Sequence, residues 1–219
     1  MKKKLCALAL IAVLLAACAP AQNLALLFDT NPQPPTLGSW EGNVFTSEYL
    51  GLRVEMLDGW VALTDEELSE LSGFDFTLLE NRQDFWELVD TQGWRISDMQ
   101  IWNPETFAIV EILHERFYTV ADRMMSASQF NELEADWWYD ELRDVGARYI
   151  TIDISDTPVR IGSHYWYYFD DASLLEDGFI LYGRHFQSVQ HGFGMIIYVS
   201  YCCCTPETLE EIMAMFSPL

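Results

Sequence analysis

The chain has 219 residues, half of them hydrophobic, and a formal net charge of −22. This length suits one domain with a sizeable core. Such an acidic surface repels nucleic acid and anionic lipid headgroups, so neither is an expected partner. The only lysines are Lys2 to Lys4. Their absence elsewhere excludes a phosphate-loop lysine, a Schiff base and a lysine general base from the rest of the chain.

The first 17 residues have the layout of a secretory signal peptide. Lysines precede an apolar run from Leu5 to Leu15, and small residues follow it. At its end, the stretch from Leu15 to Cys18 resembles the lipobox of bacterial lipoproteins, in which the cysteine is joined to a diacylglycerol and becomes the first residue. The alternative is an ordinary signal peptide cut near Ala19. We therefore expect lipidated Cys18 to anchor the protein to the extracytoplasmic face of the cell membrane without spanning it.

Residues 18–42 are predicted to form a lipidated flexible tether, because "TNPQPPT" favours extended polyproline geometry. Residues 43–219 are predicted to form a single domain. Its first part, "NVFTSEYLGLRVEML", gives two short strands around Gly51, and the turn "DGW" leads into a third. Thr64 and Glu67 have the spacing of a capping box, which predicts the start of a short helix.

The middle of the domain is predicted to contain two helices and a hairpin. Residues Phe74 to Val89 have helical spacing, and Ser97 to Phe117 give two strands around the turn "NPET". A longer helix is capped by Ser126 or Ser128 and ends at Gly146. Its inward stripe is predicted to consist of Phe130, Leu133, Trp137, Leu142 and Val145.

The last part of the chain is rich in strand patterns. Four strands are predicted over Arg148 to Ile154, Tyr165 to Phe169, Phe179 to Val189, and Phe193 to Cys203. A closing helix begins at Thr205 and directs Leu209, Ile212, Met213 and Phe216 inward. Strands bordered by helices early, midway and late predict an α+β fold, an antiparallel sheet covered by helices.

The order of these elements, from "VFTSEYLGLRVEMLDGW" through "ITIDISDTPVRIGSHYWYY" to the closing "MFSPL", resembles the PsbP/Mog1-like domains found in lipoproteins of Gram-positive gut bacteria. The resemblance covers about residues 43–219. It implies an α/β/α sandwich around a curved antiparallel sheet, and an accessory role in place of catalysis. It supplies no catalytic residues.

Three consecutive cysteines, Cys202 to Cys204, precede the closing helix. Strand side chains alternate between faces, so the three cannot close around one zinc ion. If His191 and Gly192 form a two-residue hairpin turn, Gln190 faces Phe193, which puts His185 opposite Tyr198 and Leu181 opposite Cys202. Buried packing thiols are then favoured over a thiolate–imidazole pair. A disulfide among the three remains open and leaves one thiol unpaired.

Aromatic residues are the candidate ligand contacts. Trp166 and Tyr168 lie in the strand "HYWYYFDD", and Trp138 and Tyr139 lie at the edge of the apolar helix stripe. The alternative is that these rings fill the core. Acidic pairs such as Asp170 with Asp171 are interpreted as solvated faces, and no calcium loop is present. Among the histidines only His185 and His191 have a spacing that metal ligands use, and this signal is weak. No metal site or cofactor is therefore expected.

These patterns favour a membrane-anchored, non-catalytic binding or accessory module. Its partners are membrane lipid, through Cys18, and an unidentified surface protein or small molecule. A second hypothesis is an extracytoplasmic hydrolase or thiol enzyme with a site assembled from dispersed residues such as His114, Cys202 and Asp170. A third is an extracellular scavenger of cations.

Overall fold

The computed structural model describes residues 35–72, 95–175, 178–202 and 206–219. The strands in this part are β1 Ser39–Glu41, β2 Val44–Ser47, β3 Leu52–Glu55, β4 Val61–Ala62, β5 Arg95–Trp102, β6 Ile109–Arg116, β7 Arg148–Ile154, β8 Val159–Ile161, β9 His164–Leu174, β10 Ile180–Gln190, β11 Phe193–Cys202 and β12 Phe216–Pro218. The helices are α1 Asp65–Ser72, α2 Val120–Arg123, α3 Ala127–Asp144 and α4 Pro206–Ala214.

Two antiparallel sheets organise these elements. The large sheet has the order β4-β5-β6-β11-β10-β9-β7, with β8 also beside β9. The small sheet has the order β1-β2-β3-β12. The predicted antiparallel sheet is therefore confirmed, and β7 begins and ends at the residues predicted from the sequence.

The hairpin of β10 and β11 has the predicted register. Gln190 pairs with Phe193, His185 with Tyr198, and Leu181 with Cys202. His191 and Gly192 form its turn with φ angles of 51° and 81°. Two positive φ angles characterise the type I′ turn, whose twist matches that of the flanking strands.

The ends of α3 also follow the sequence signals. Ser126 is the N-cap, and its capping box is completed by Gln129. At the other end, Gly146 has φ 84°. The N–H groups of Gly146 and Ala147 donate to the carbonyls of Arg143 and Leu142, at 3.0 and 2.9 Å, a Schellman arrangement that closes the helix.

The main core lies between the two sheets. The small sheet contributes Phe45, Leu52 and Val54, all fully buried, and the large sheet contributes residues such as Ile112 and Ile197. After α4 the chain continues into β12, where Phe216 pairs with Val54 of β3. The prediction that helices cover both faces of the antiparallel sheet is therefore not confirmed. Most of the face of the large sheet that points to the main core packs against the small sheet.

The opposite face of the large sheet contacts α3 through only part of the predicted stripe. Phe130 and Leu142 are buried as predicted, but the other three residues are not. Leu133, Trp137 and Val145 are 51%, 39% and 67% exposed. Asn131 and Glu134 are buried in their place. The reason is that the sheet below α3 carries charged groups beside its apolar ones, and Glu134 pairs there with Arg95 of β5.

The folded part starts earlier than residue 43. Leu37 is buried, and the Gly38 N–H donates to both carboxylate oxygens of Asp98, at 2.9 and 3.1 Å. Strand β1 then pairs with β2, so the end of the predicted tether belongs to the small sheet. Cys18, Cys203 and Cys204, and the helix predicted over 74–89, lie outside the described residues.

Candidate ligand-binding cleft

The predicted contact residues separate onto the two faces of the large sheet. Trp166 is fully buried, and its Nε1–H donates to the Ile161 carbonyl at 3.0 Å. Tyr168 is half-buried beside the main core. On the other face, Trp138 packs on His185 with ring centroids 4.7 Å apart, while Tyr139 on α3 is 44% exposed. The four side chains therefore do not form one surface.

A cleft of about 220 Å³ lies on the face of the sheet that carries Tyr168. Four neighbouring strands and α4 build it. Across the register, Asp153 of β7 pairs with Asp170 of β9, and Asp170 pairs with Arg184 of β10. The residues that line the cleft are Thr151, Asp153, Asp170, Asp171, Ala172, Tyr182, Gly183, Arg184, Tyr201 and Leu209.

A charge pair occupies the middle of the cleft. Arg184 Nε and Nη2 donate to Asp170 Oδ1 and Oδ2, at 2.5 and 2.7 Å, which is a bidentate pairing. The guanidinium also lies over the ring of Tyr168, 4.7 Å from its centroid. The hydrogen bonds that Arg184 donates to Asp170 raise the pKa of Arg184. Arg184 is thus held by its own neighbours.

Aromatic and acidic groups flank this pair. Tyr182 and Tyr201 are cross-strand neighbours, and their rings stack at 5.5 Å with an interplanar angle of 16°. On the other side, Asp153 is exposed on β7 and has no ion-pair partner among the described residues. The Asp171 carboxylate is buried with His185 on the other face of the sheet. With Asp170 balanced by Arg184, Asp153 therefore leaves an excess of one negative charge at the open side of the cleft, which favours a cationic or hydrogen-bond-donating ligand.

A buried pair of His185 and Asp171 lies on the other face, below α3. Their Nε2 and Oδ1 atoms are 2.9 Å apart, and their side chains are 7% and 0% exposed. Phe169 stacks on the imidazole at 4.3 Å. Burial lowers the pKa of His185, although Asp171 acts in the opposite direction. The imidazole is therefore neutral near pH 7, and its Nε2–H donates to the carboxylate.

The sequence interpretation missed this pair, because it treated Asp170 and Asp171 as a solvated acidic face. Strand alternation puts them on opposite faces, and Asp171 is only 4% exposed. Asp171 lies opposite Gly183, diagonally from His185. Only the register between β9 and β10 identifies such a neighbour, and the connection between these strands has no two-residue turn from which to predict it.

A second polar cluster fixes α3 to the sheet. Arg95 Nη2 lies 2.7 Å from Glu115 of β6 and 2.8 Å from Glu134 of α3. The Trp137 ring covers the guanidinium at 4.9 Å. Burial raises the pKa of Glu115 to about 7, against the opposing effect of Arg95. Burial also raises the pKa of Glu134.

A third buried contact joins His114 to Asp98, with 3.1 Å between Nε2 and Oδ2 and no exposure of either side chain.

The described residues contain no group of three or more histidine, cysteine or acidic side chains that could hold a metal ion. Among the helices of these residues, none has the length and apolar character to cross a membrane.

No protein-family model matches the chain, and no curated protein matches its sequence. The solved structures that are similar to it include the following two. The solution structure of cyanobacterial PsbP (CyanoP) from Synechocystis sp. PCC 6803 is 11% identical, with a TM-score of 0.47, over 84% of this chain and 99% of that one. The crystal structure of LpqN, involved in cell envelope biogenesis of Mycobacterium tuberculosis, is 8% identical, with a TM-score of 0.39, over 85% and 81%. Neither similarity assigns an activity to this chain.

Proposed function

We propose that this protein is a lipoprotein anchored through Cys18 on the extracytoplasmic face of the membrane, and that its domain is a non-catalytic binding or accessory module. The stretch from Leu15 to Cys18, which resembles a lipobox at the end of the apolar run, supports the anchor. The cleft beside Arg184 is the proposed ligand site. Of the four aromatic residues predicted as ligand contacts, Tyr168 is the one that this proposal includes, because its ring lies under Arg184.

The observation that supports a binding role is that the cleft is open to solvent, whereas the two His–Asp pairs are buried. Both His–Asp pairs are enclosed, so substrate cannot reach either imidazole without a rearrangement of the core. Within the cleft, the groups that solvent reaches are an internally neutralised ion pair, stacked tyrosines and Asp153. Such groups hold and orient a ligand, but they include no activated nucleophile.

The residues of the alternative enzyme hypothesis are dispersed. His114 pairs with Met195 of β11, seven residues from Cys202, or about 23 Å at the rise of a strand. Asp170 and Cys202 lie on opposite faces of the sheet. Asp170 lines the cleft, whereas Cys202 is four residues after Tyr198 on β11 and therefore lies on the same face as Tyr198, below α3. These three side chains therefore do not converge, and we propose no thiol or hydrolase chemistry for them.

Replacing Cys18 by serine should remove the lipid. The full chain is expressed in a bacterium that processes lipoproteins, fed with an alkyne fatty acid, and fractionated. We expect the original chain to be labelled and to sediment with membranes, whereas Cys18→Ser loses the label. The matched control is Cys6→Ser, which removes a thiol inside the predicted signal peptide and should leave labelling unchanged. Persistent labelling of Cys18→Ser would contradict the anchor.

The absence of catalysis is tested separately on the original chain. Native and denatured protein are treated with a fluorophosphonate and with an iodoacetamide probe, which react with activated serine and cysteine nucleophiles. We expect no residue that reacts in the native protein and loses that reactivity on denaturation. One such residue would show an activated nucleophile and overturn the non-catalytic role.

A further inference from the structure

Strand β7 ends the strand order on one side of the large sheet within the described residues. A bulge between Arg148 and Thr151 interrupts its start, and Thr151 to Ile154 then pair regularly with β9. The strand at the opposite end, β4, has only two residues. A long edge strand offers unpaired backbone groups to another chain, whereas a very short one does not.

The hydrogen bonds of β9 show which groups of β7 face outward. The Ser155 N–H donates to the Tyr168 carbonyl at 2.9 Å, just beyond the end of β7. Residues of an antiparallel strand alternate between bonding to one neighbour and to the other side. Thr151 and Asp153 therefore bond to β9 like Ser155, and the N–H and C=O groups of Ile152 and Ile154 face the open edge.

The open edge and the cleft are continuous. Thr151 and Asp153 form the wall of the cleft on the β7 side. A residue opposite Asp153 on an added strand directs its side chain to the same face, with about 5 Å between the two Cβ atoms. Side chains two residues apart on that strand would thus line up along the rim of the cleft.

The negative charge of this surface indicates which kind of partner it can bind. Asp153 is exposed and unbalanced, and the nearest cation in the cleft, Arg184, is already bidentate with Asp170. The chain as a whole carries −22. A second copy would bring the same charge and repel the first, whereas a basic segment is attracted and paired.

We propose that the edge of β7 and the adjoining cleft bind an extended basic segment of a partner protein. The segment adds to Thr151–Ile154 as a strand through the outward groups of Ile152 and Ile154, and it places an arginine or lysine against Asp153. Strand addition supplies affinity through main-chain hydrogen bonds and selectivity through alternate side chains. This proposal names the partner class of the proposed binding module and rests on that function.

The direct test uses the full chain purified in detergent and a fluorescent, capped peptide of sequence VTVRVTV. Fluorescence anisotropy should show saturable binding that weakens as salt is raised. The matched peptide VTVEVTV should bind at least tenfold more weakly, because glutamate replaces the cation beside Asp153. Equal binding of the two peptides would overturn the charge selection.

The backbone part is tested on the peptide, which leaves the fold of the protein intact. Methylation of the alternate amide nitrogens that face β7 should abolish binding, and methylation of the other set should preserve it. In hydrogen exchange, the amides of Ile152 and Ile154 should become protected when the unmodified peptide binds. Equal binding of both methylated peptides, or unchanged exchange at these two amides, would overturn strand addition.

In the protein, Asp153→Asn should weaken the binding of VTVRVTV by about fivefold, which is the range of an exposed ion pair. Asp136→Asn, an equal charge change at an exposed position of α3, should have no effect.

Spermidine at the same concentration as the peptide should not compete with it for binding, and full competition would assign the cleft to free cations instead. Labelling of Cys18 is independent of the peptide, so failure here is distinguishable from failure of the lipoprotein assignment.

Discussion

Glu115→Gln should make the protein more stable at pH 8 by about 3 kcal/mol and should flatten the pH dependence of its stability. Burial raises the pKa of Glu115 from 4.5 to about 7, because the carboxylate is enclosed between the sheet and α3. Between these values the unfolded chain has released the proton and the folded chain still holds it. The free energy of unfolding therefore falls as pH rises through this window. Glutamine removes the ionisation but keeps an oxygen that accepts from Arg95.

The measurement is urea unfolding of both proteins at several pH values from 4 to 8. The two curves should nearly coincide at pH 4 and separate progressively up to pH 8. Glu132→Gln, an exposed site on α3, is the control and should follow the original chain. Parallel curves for Glu115→Gln and the original chain would show that Glu115 is not protonated by folding. The result matters for function because Glu115 and Glu134 share the arginine that holds α3 on the sheet.

Gly183→Ala should destabilise the protein by about 3 kcal/mol at pH 7, although the change adds only one methyl group. A β-carbon at this position would overlap the Asp171 carboxylate and come within 3.0 Å of His185 Nε2. The carboxylate would have to leave a buried hydrogen bond with the imidazole. Overpacking and loss of a buried polar contact each cost about 1–3 kcal/mol.

A double-mutant cycle with Asp171→Ala separates this cause from an intrinsic preference for glycine. Asp171→Ala should itself be destabilising, because it leaves His185 buried without its acceptor. In that background Gly183→Ala should cost less than about 1 kcal/mol, since the carboxylate that it displaces is gone. Additive costs in urea unfolding would place the role of Gly183 in the backbone of β10 and not in the His185–Asp171 pair.

Local features of the fold were predictable from the sequence because their causes are local. Two residues with positive φ fix the hairpin register, so His185 was placed opposite Tyr198 correctly. A side-chain cap and a terminal glycine fix the ends of α3 in the same way. In each case the stabilising contacts lie within a few residues of one another.

The residues that line the candidate cleft were not predicted from the sequence. Tyr168 stays a predicted contact: it lies under Arg184 and does not line the cleft, whereas Arg184, Tyr182 and Tyr201 line it and were not named. Their neighbours depend on the order and register of four strands and on the position of α4, which the residue pattern of one strand does not contain. Trp138 was expected near the helix edge, and it packs inward on His185 because the sheet below α3 carries polar and aromatic groups.

By itself the sequence determined the acidic character of the chain, its lack of lysine after Lys4, the antiparallel hairpin and the helix caps. The tertiary structure decided which side of α3 is buried, since Arg95 draws Glu134 inward across 39 residues of chain. It also turned the end of "MFSPL" into β12, where pairing with β3 outweighs the local helical pattern. Contacts between distant segments depend on the meeting of surfaces that no single segment encodes, and the cleft beside β7 is one of these.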